Sequence, residues 1–208
     1  SILQFQLNNS ITSEETSIYW SAEQTFTKGL SNPFIGNETE VLNALDDMLT
    51  QSIGLRMIAD VPLGAFLSGG IDSSTIVALM QKQSLKPIQT FTIGFREESF
   101  NEASQAKLVA QHLGTLHTEL YVTAKEARDV IPLLPSMFDE PFADPSQIPT
   151  YLISRLAKSQ VTVGLSGDGG DEFFGGYNRY VWVNRIWKNL HSIPLPVRKL
   201  VSSSLELL

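Results

Sequence analysis

The chain has 208 residues and a net charge of −7, and 42% of its residues are hydrophobic. This length allows one sizeable core, and the acidic balance argues against a nucleic-acid partner, because basic residues supply most of that affinity. The absence of cysteine excludes disulfides, thiolate zinc sites and cysteine nucleophiles within this stretch.

The first 36 residues are polar and weakly patterned, and they end with Pro33 and Gly36. We interpret residues 1–36 as an extended linker that follows another domain, and residues 37–208 as one domain. Residues 1–10 lack the basic head and apolar run of a signal peptide. No stretch reaches the roughly 20 uncharged residues of a membrane helix. We therefore expect a cytoplasmic protein that does not contact membranes.

Helical and strand patterns alternate along the rest of the chain. Asn37 begins the first predicted helix, because Glu40 follows three residues later and the two residues can cap it. Apolar runs predict strands at residues 61–67, 87–95, 116–122 and 161–165. Helical spacing predicts helices at residues 71–84, 101–113 and 125–138, and one capped by Ser146. This alternation indicates an α/β fold, a parallel sheet with helices on both faces, which binds ligands at the carboxyl ends of its strands.

The first of these strands runs into the string SGGIDSS, residues 68–74, and then directly into a helix. Gly69 and Gly70 permit a sharp turn and a close approach of the backbone to a ligand. Ser73 and Ser74 lie at the helix N-terminus, where anions bind. Asp72 would repel bare phosphates, so it fits a divalent cation shared with them. The alternative is a strand-to-helix turn with a capping side chain.

The string LSGDGGDE, residues 165–172, follows the last predicted strand. Since parallel strands deliver their loops to one edge of the sheet, we expect it beside the first loop. Its acids are Asp168, Asp171 and Glu172, interleaved with three glycines. Asp72 and Asp171 together predict a magnesium clamp completed by phosphate oxygens and waters. The alternative for this loop alone is an acidic surface turn.

Both loop motifs and three further strings occur in an order that is typical of one family. SGGIDSS is shared by several enzymes that form adenylates and release pyrophosphate, whereas LSGDGGDEFFGGY is narrower. The strings TFTIGF, HLGTLHTE and DEPFADPS follow the same order and spacing. The chain resembles asparagine synthetases over about residues 37–180. The resemblance implies the three-layer fold of the adenine nucleotide alpha-hydrolases with a pyrophosphatase loop.

The resemblance also assigns roles to individual residues. It implies that Leu67 and Ile93 contact adenosine through backbone groups. The residues expected to bind the pyrophosphate and its magnesium are Ser68, Gly69, Gly70, Asp72 and Ser73. Ser166 and Gly167 are expected at the ribose and α-phosphate. Asp168, where the family has Glu or Asp, is expected beside the acceptor substrate as a catalytic residue that is needed for forming the intermediate.

The reaction implied by the resemblance uses ATP and Mg²⁺ and has two steps. The side-chain carboxylate of aspartate attacks the α-phosphorus, giving β-aspartyl-AMP and pyrophosphate, and ammonia then displaces AMP to give asparagine. A glutaminase domain of the same full-length chain is implied as the source of ammonia. The family's later lysine falls beyond residue 208. We therefore expect residues 1–208 alone neither to hydrolyse glutamine nor to form asparagine at a useful rate.

Other functions fit part of the sequence. The two loops favour ATP but constrain the acceptor weakly, so a related adenylating ligase or amidotransferase with another acceptor is one alternative. A nucleotide-binding module without catalysis is a second. The residues that hold the acceptor's α-carboxylate stay open, because the family's Thr and Arg contacts match a region where this chain has acids and Pro145.

Aromatic residues dominate the segment after Gly176. Tyr177, Tyr180, Trp182 and Trp187 fall at spacings that place them on one side of a helix. Only a short, proline-interrupted stretch follows to cover them. We expect this side either to be exposed or to be covered by a second copy in a homodimer. The alternative is that the terminal stretch folds back over it.

Overall fold

The computed structural model describes residues 1–7, 11–95, 101–140 and 143–199. The chain divides into two compact units, Ser1–Leu49 and Thr50–Leu208. Two residues of the DEPFADPS string, at positions 141 and 142, and positions 200–208 of the terminal stretch lie outside the described residues.

The first unit contains secondary structure where the sequence indicated a linker. Strand β1 (Ile2–Leu7) pairs antiparallel with β2 (Ile11–Ser17), and helix α1 (Ala22–Ser31) follows. The prediction that residues 1–36 are extended is therefore corrected, because this segment contains an antiparallel strand pair and a helix. The signal for β1 is the apolar–polar alternation in its string ILQFQL. That this segment follows another domain stays a prediction.

Helix α2 (Glu38–Arg56) begins where the sequence predicts. The Asn37 amide donates to Glu40 Oε2 at 2.8 Å, and the Glu40 amide donates to Asn37 Oδ1 at 3.0 Å. Each side chain thus satisfies a backbone N–H that the first helical turn leaves without a partner. The helix continues through Leu49, so the division into compact units falls inside it rather than at the predicted boundary after residue 36.

The second unit is built on a four-stranded parallel sheet. Its strands are β3 (Leu63–Phe66), β4 (Gln89–Phe95), β5 (Leu116–Val122) and β6 (Val163–Leu165). They lie in the order β5-β4-β3-β6, and every neighbouring pair is parallel. Central β3 is short and almost fully buried, as expected for a strand covered on both faces.

Helices cover both faces of this sheet. The helices described in this unit are α3 (Ile71–Gln83), α4 (Ala103–Leu113), α5 (Ala124–Val130), α6 (Leu134–Met137), α7 (Gln147–Ala157), α8 (Gly170–Phe174) and α9 (Asn178–His191), of which α4 and α7 pack against β4. On β4, Phe91 packs against Ala157 and Val161 beside α7, whereas Gly94 lies against Ala103 of α4. Odd and even strand positions point to opposite faces, so the predicted α/β fold is confirmed. Within the described ranges, no helix combines the length and apolarity needed to cross a bilayer.

Proline accounts for the irregular segment between β5 and α7. The sequence predicts a helix over residues 125–138 that is interrupted near Pro132 and Pro135. The structure has α5, a single 3-10 turn over Ile131–Leu133 and then α6. Each proline lacks an amide hydrogen and falls in the first turn of its segment, where no helical hydrogen bond is lost.

Helix α9 presents a large apolar surface. Trp182 and Trp187 are each 57% exposed, and Tyr180, Ile186 and Leu190 are also exposed. Between Ser192 and Lys199, the described part of the terminal stretch leaves these side chains open to solvent. Burial of this side against a second copy stays a prediction.

We predict that the α9 surface binds a hydrophobic dye or is buried in a dimer, because several large aromatics form a patch bigger than monomers usually expose. Dye fluorescence and light scattering on the chain measure the two outcomes. The double substitution Trp182→Gln and Trp187→Gln should remove most of the dye signal or dissociate the dimer. Trp20→Gln, at an exposed tryptophan of the first unit, is the matched control. A dye-silent monomer would contradict the prediction.

Candidate functional site

The first loop connects β3 to α3 at the carboxyl edge of the sheet. Leu67 is 1% exposed and donates its amide to Phe91 O at 2.9 Å, which holds the start of the loop against β4. Gly69 has a φ of 82°, a conformation that favours glycine. An added Cβ there would lie 2.7 Å from Ala106 N of α4. This close approach requires glycine and fixes where α3 begins.

Two serines close this loop on itself. Ser73 Oγ accepts from the Ser68 amide at 3.2 Å and lies 2.9 Å from Ser68 Oγ. Ser68 Oγ also accepts from the Gly70 amide at 3.2 Å. These bonds give the Ser68 and Gly70 amides side-chain oxygens as partners. The loop is therefore ordered by its own residues, with the side chain of Asp72 at its rim.

The second loop connects β6 to α8. Ser166 Oγ donates to Asp168 Oδ2 at 2.8 Å, which fixes one oxygen of that carboxylate. Gly169 has a φ of 96° and caps the N-terminus of α8, the five-residue helix that carries Asp171 and Glu172. The turn at Gly169 thus separates the Asp168 carboxylate from the two acids of the helix.

Parallel pairing brings the two loops into direct contact. Ala65 of β3 is in register with Leu165 of β6, so both strands end side by side. An added Cβ on Gly167 would lie 2.8 Å from Ser73 N, so the second loop touches the first through bare backbone. An added Cβ on Gly170 would lie 2.5 Å from Cγ of the Asp72 carboxylate. The sequence predicts this convergence, and the geometry agrees with it.

A cavity of about 590 Å³ lies at this junction. The predicted residues that line it are Leu67, Ser68, Asp72, Ser73, Ile93, Ser166, Gly167, Asp168 and Asp171. The two remaining predicted residues, Gly69 and Gly70, are not among its lining. Gly69 packs against α4 instead, and Gly70 is the exposed N-cap of α3. Their role is to shape the turn; contact with a ligand stays a prediction for all eleven residues.

Several lining residues were not singled out from the sequence. Thr92 comes from β4, and Thr150 and Ile153 come from the first turns of α7. Glu102 lines the cavity as well. Glu172 and Tyr177, noted in the sequence for charge and aromatic character but not predicted as site residues, also line it. The sequence could have indicated Thr92, because it directly precedes the predicted site residue Ile93 in the string TFTIGF. The approach of α7 depends on tertiary packing and leaves no local signal in the sequence.

The cavity is strongly acidic. The carboxylates in its lining belong to Asp72, Glu102, Asp168, Asp171 and Glu172, and the described part of the chain contributes no lysine, arginine or histidine to it. Like charges this close destabilise one another, and a polyphosphate would be repelled. Cations that accompany an anionic nucleotide would offset this repulsion.

A tyrosine and an arginine order the end of α8. Tyr177 Oη donates to Glu172 Oε1 at 2.5 Å, and the guanidinium carbon of Arg179 lies 4.1 Å from the centre of the Tyr177 ring. The hydrogen bond from Tyr177 lowers the pKa of Glu172, with a smaller contribution from Arg179. The same bond raises the pKa of Tyr177. Glu172 is thus held ionised and directed to Tyr177.

The carboxylates suit magnesium better than a metal that needs a complete protein cage. Among the described residues, no three histidine, aspartate or glutamate side chains gather closely enough to hold a metal. Magnesium commonly binds one or two carboxylates and takes its other ligands from phosphates and waters. Asp72 and Asp171 each lie in a space that an added glycine Cβ would fill, at Gly170 and Gly176 respectively. This open, two-carboxylate arrangement fits a magnesium–nucleotide ligand.

Comparisons with known proteins find similar sequences over most of the chain. The family model for asparagine synthase matches residues 44–207. Asparagine synthetase [glutamine-hydrolyzing] 1 of Bacillus subtilis is 40% identical over 157 residues, which cover 76% of this chain and 25% of that protein. Putative asparagine synthetase [glutamine-hydrolyzing] 2 of Methanocaldococcus jannaschii is 40% identical over 161 residues, covering 73% of this chain and 31% of that protein.

More distant similarities extend the comparison. Asparagine synthetase B [glutamine-hydrolyzing] of Escherichia coli is 35% identical over 153 residues, covering 65% of this chain and 27% of that protein. Among solved structures, NH3-dependent NAD synthetase from Campylobacter jejuni has a TM-score of 0.44 and 11% identity, covering 69% of this chain and 62% of that chain. The chain therefore spans between 25% and 31% of the length of these three curated relatives.

We predict that the hydroxyl of Ser73 stabilises the first loop and that the neighbouring hydroxyl of Ser74 does not. Ser73→Ala should lower the free energy of unfolding by about 1 kcal/mol, because it leaves the Ser68 amide without its partner. Ser74→Ala should be close to neutral, since Ser74 Oγ is buried with no hydrogen-bond partner among the described residues. Urea denaturation of both variants checks this, and equal effects would contradict it.

Proposed function

The chain belongs to the asparagine synthase family, and we propose that it carries the ATP-binding, adenylate-forming part of an asparagine-forming ligase. The observation that carries this proposal is the junction of the two glycine-rich loops around one acidic cavity. Family membership supports the reaction class, and the cavity supports the location of the chemistry.

We infer that ATP binds with its adenosine near the end of β4 and its phosphates over the two loops. Leu67 and Ile93 both line the cavity beside β4, which supports their predicted contact with adenosine. Asp72 and Ser73, in the first turn of α3, line the region assigned to pyrophosphate, and a helix N-terminus favours anions. Ser166 and Gly167 lie between these regions, at the place proposed for the ribose and α-phosphate.

The negative charge of the cavity supports the proposal that magnesium binds there. Asp72 and Asp171 would hold the ion, since they come from different loops and both line the same cavity. Bound Mg²⁺ would neutralise the phosphate oxygens and stabilise the charge that develops on the pyrophosphate leaving group. The acids that repel bare ATP would then select the magnesium complex. Glu172 is directed to Tyr177 and is not proposed as a ligand.

The proposed acceptor is aspartate. Its side-chain carboxylate oxygen forms a bond to the α-phosphorus while the bond from that phosphorus to pyrophosphate breaks. Ammonia then attacks the carboxyl carbon, loses a proton, and AMP leaves. Asp168 lines the cavity with one oxygen held by Ser166, and we propose that its other oxygen binds the ammonium group of the acceptor. Orientation of the reactants and charge stabilisation supply the acceleration.

Ammonia is proposed to come from a glutaminase domain of the full-length protein. The relatives from Bacillus subtilis, Methanocaldococcus jannaschii and Escherichia coli are all named as glutamine-hydrolysing. A ligase that uses another acceptor remains the second candidate, because the carboxylates and glycines described here act on the nucleotide more than on the acceptor.

Binding of the nucleotide is tested by thermal unfolding. Mg-ATP should raise the melting temperature of the chain, because a ligand that binds only the folded state stabilises it. Asp72→Ala should remove most of this shift by deleting a proposed magnesium ligand. Asp129→Ala, on an exposed position of α5, is the matched control and should keep the shift. A folded wild-type chain that ignores Mg-ATP would contradict the proposal.

The acceptor is tested by ATP–pyrophosphate exchange in the complete protein, because the curated relatives are much longer than this chain. Labelled pyrophosphate should enter ATP only when aspartate and Mg²⁺ are present. Exchange that depends on another carboxylate would favour the second candidate. ATP binding with no exchange for any acceptor would indicate a binding module without catalysis.

A further inference from the structure

The backbone conformation at position 170 does not require glycine. The φ of Gly170 is not positive, and this glycine is the first residue of α8, a position that alanine also accepts. What an added Cβ would meet is the carboxylate of Asp72, at 2.5 Å from Cγ and Oδ2 and 2.9 Å from Oδ1. The Asp72 carboxylate in the first loop therefore packs against the Cα of Gly170 in the second loop.

Gly176 repeats this arrangement on the other acid. Its φ is not positive either, and its amide donates to Asp171 O at 3.0 Å. An added Cβ would overlap Asp171 Oδ1 and lie 3.0 Å from Asp171 Cγ. The carboxylate of Asp171 thus occupies the space that any side chain at position 176 would take.

The neighbouring glycine at position 167 behaves differently. A Cβ on Gly167 would meet the backbone at Ser73 N and at Asp72 C, 3.0 Å away, and backbone inside a packed loop cannot move cheaply. A methyl group at Gly170 or Gly176 would instead meet the end of a short side chain, which can rotate. Substitution of Gly170 or Gly176 would therefore preserve the fold and rotate the neighbouring carboxylate, that of Asp72 or Asp171, out of its position.

We propose that Gly170 and Gly176 are positioning residues that set the orientation of the Asp72 and Asp171 carboxylates for the magnesium–nucleotide complex. The inference rests on the proposed function, because it assigns both acids to magnesium. Each acid is held by contact with a glycine Cα on one side and faces the cavity on the other. A side chain at either glycine weakens metal binding by rotating the ligand while the ligand itself stays in the protein.

The test measures how much Mg²⁺ the chain needs to show its ATP-dependent rise in melting temperature. Gly170→Ala and Gly176→Ala should raise the half-maximal Mg²⁺ concentration roughly tenfold or more, in the range seen when residues that orient metal ligands are changed. Saturating Mg²⁺ should restore the full shift, whereas Asp72→Ala should stay unresponsive. Binding of Mn²⁺ with a non-hydrolysable ATP analogue, followed by electron paramagnetic resonance, reports the metal independently of melting.

Gly175→Ala is the matched control in the same loop. Gly175 has a φ of 68° and no atom within 4 Å of an added Cβ, so alanine strains the backbone without touching a carboxylate. This variant should lower the melting temperature without ligand and keep the wild-type Mg²⁺ requirement. A wild-type requirement in Gly170→Ala and Gly176→Ala, or an equal change in Gly175→Ala, would overturn the inference alone. A wild-type chain with no Mg²⁺-dependent response to ATP would overturn the proposed function as well.

Discussion

Direct contact between two backbone loops is the constraint on which the rest of this structure depends. Parallel strands β3 and β6 end in register, and the loops that follow them touch because glycine occupies the contact points at positions 167 and 170. A one-residue slip of β6 would exchange its two faces and separate the loops. The short β3 and β6 ladder therefore determines whether a cavity exists at all.

The same contact concentrates negative charge. Packing the loops together brings carboxylates from two loops and from Glu102 around one space, which costs free energy in the absence of a cation. The bonds within each loop offset part of this cost, as between Ser68 and Ser73 and between Ser166 and Asp168. Tyr177 donates a hydrogen bond to Glu172 and so occupies one oxygen of that carboxylate. What remains is an acidic site that favours a cation together with its anionic ligand.

The sequence predicts the sheet and the site at the level of motifs. The strand runs and the two glycine-rich strings suffice for the α/β fold and for the convergence of Asp72 and Asp171, because both follow from local patterns and from the geometry of parallel sheets. Thr150 and Ile153 were missed, since the approach of α7 to the cavity depends on side-chain packing between distant segments. The antiparallel pair of β1 and β2 was missed although the alternation in β1 is visible, because the polar composition of this segment is also that of a linker. The reason for glycine at 170 emerges only in three dimensions, where Asp72 is its neighbour.

The central claim is that Asp72 and Asp171 together hold a divalent cation with the phosphates of ATP. The most direct measurement is a crystal structure of the protein with Mn²⁺ and a non-hydrolysable ATP analogue, in which anomalous scattering locates the metal. We predict one Mn²⁺ bonded to a carboxylate oxygen from each of these residues and to phosphate oxygens of the analogue. Mn²⁺ bound through Glu172, or an analogue bound away from the two loops, would contradict it.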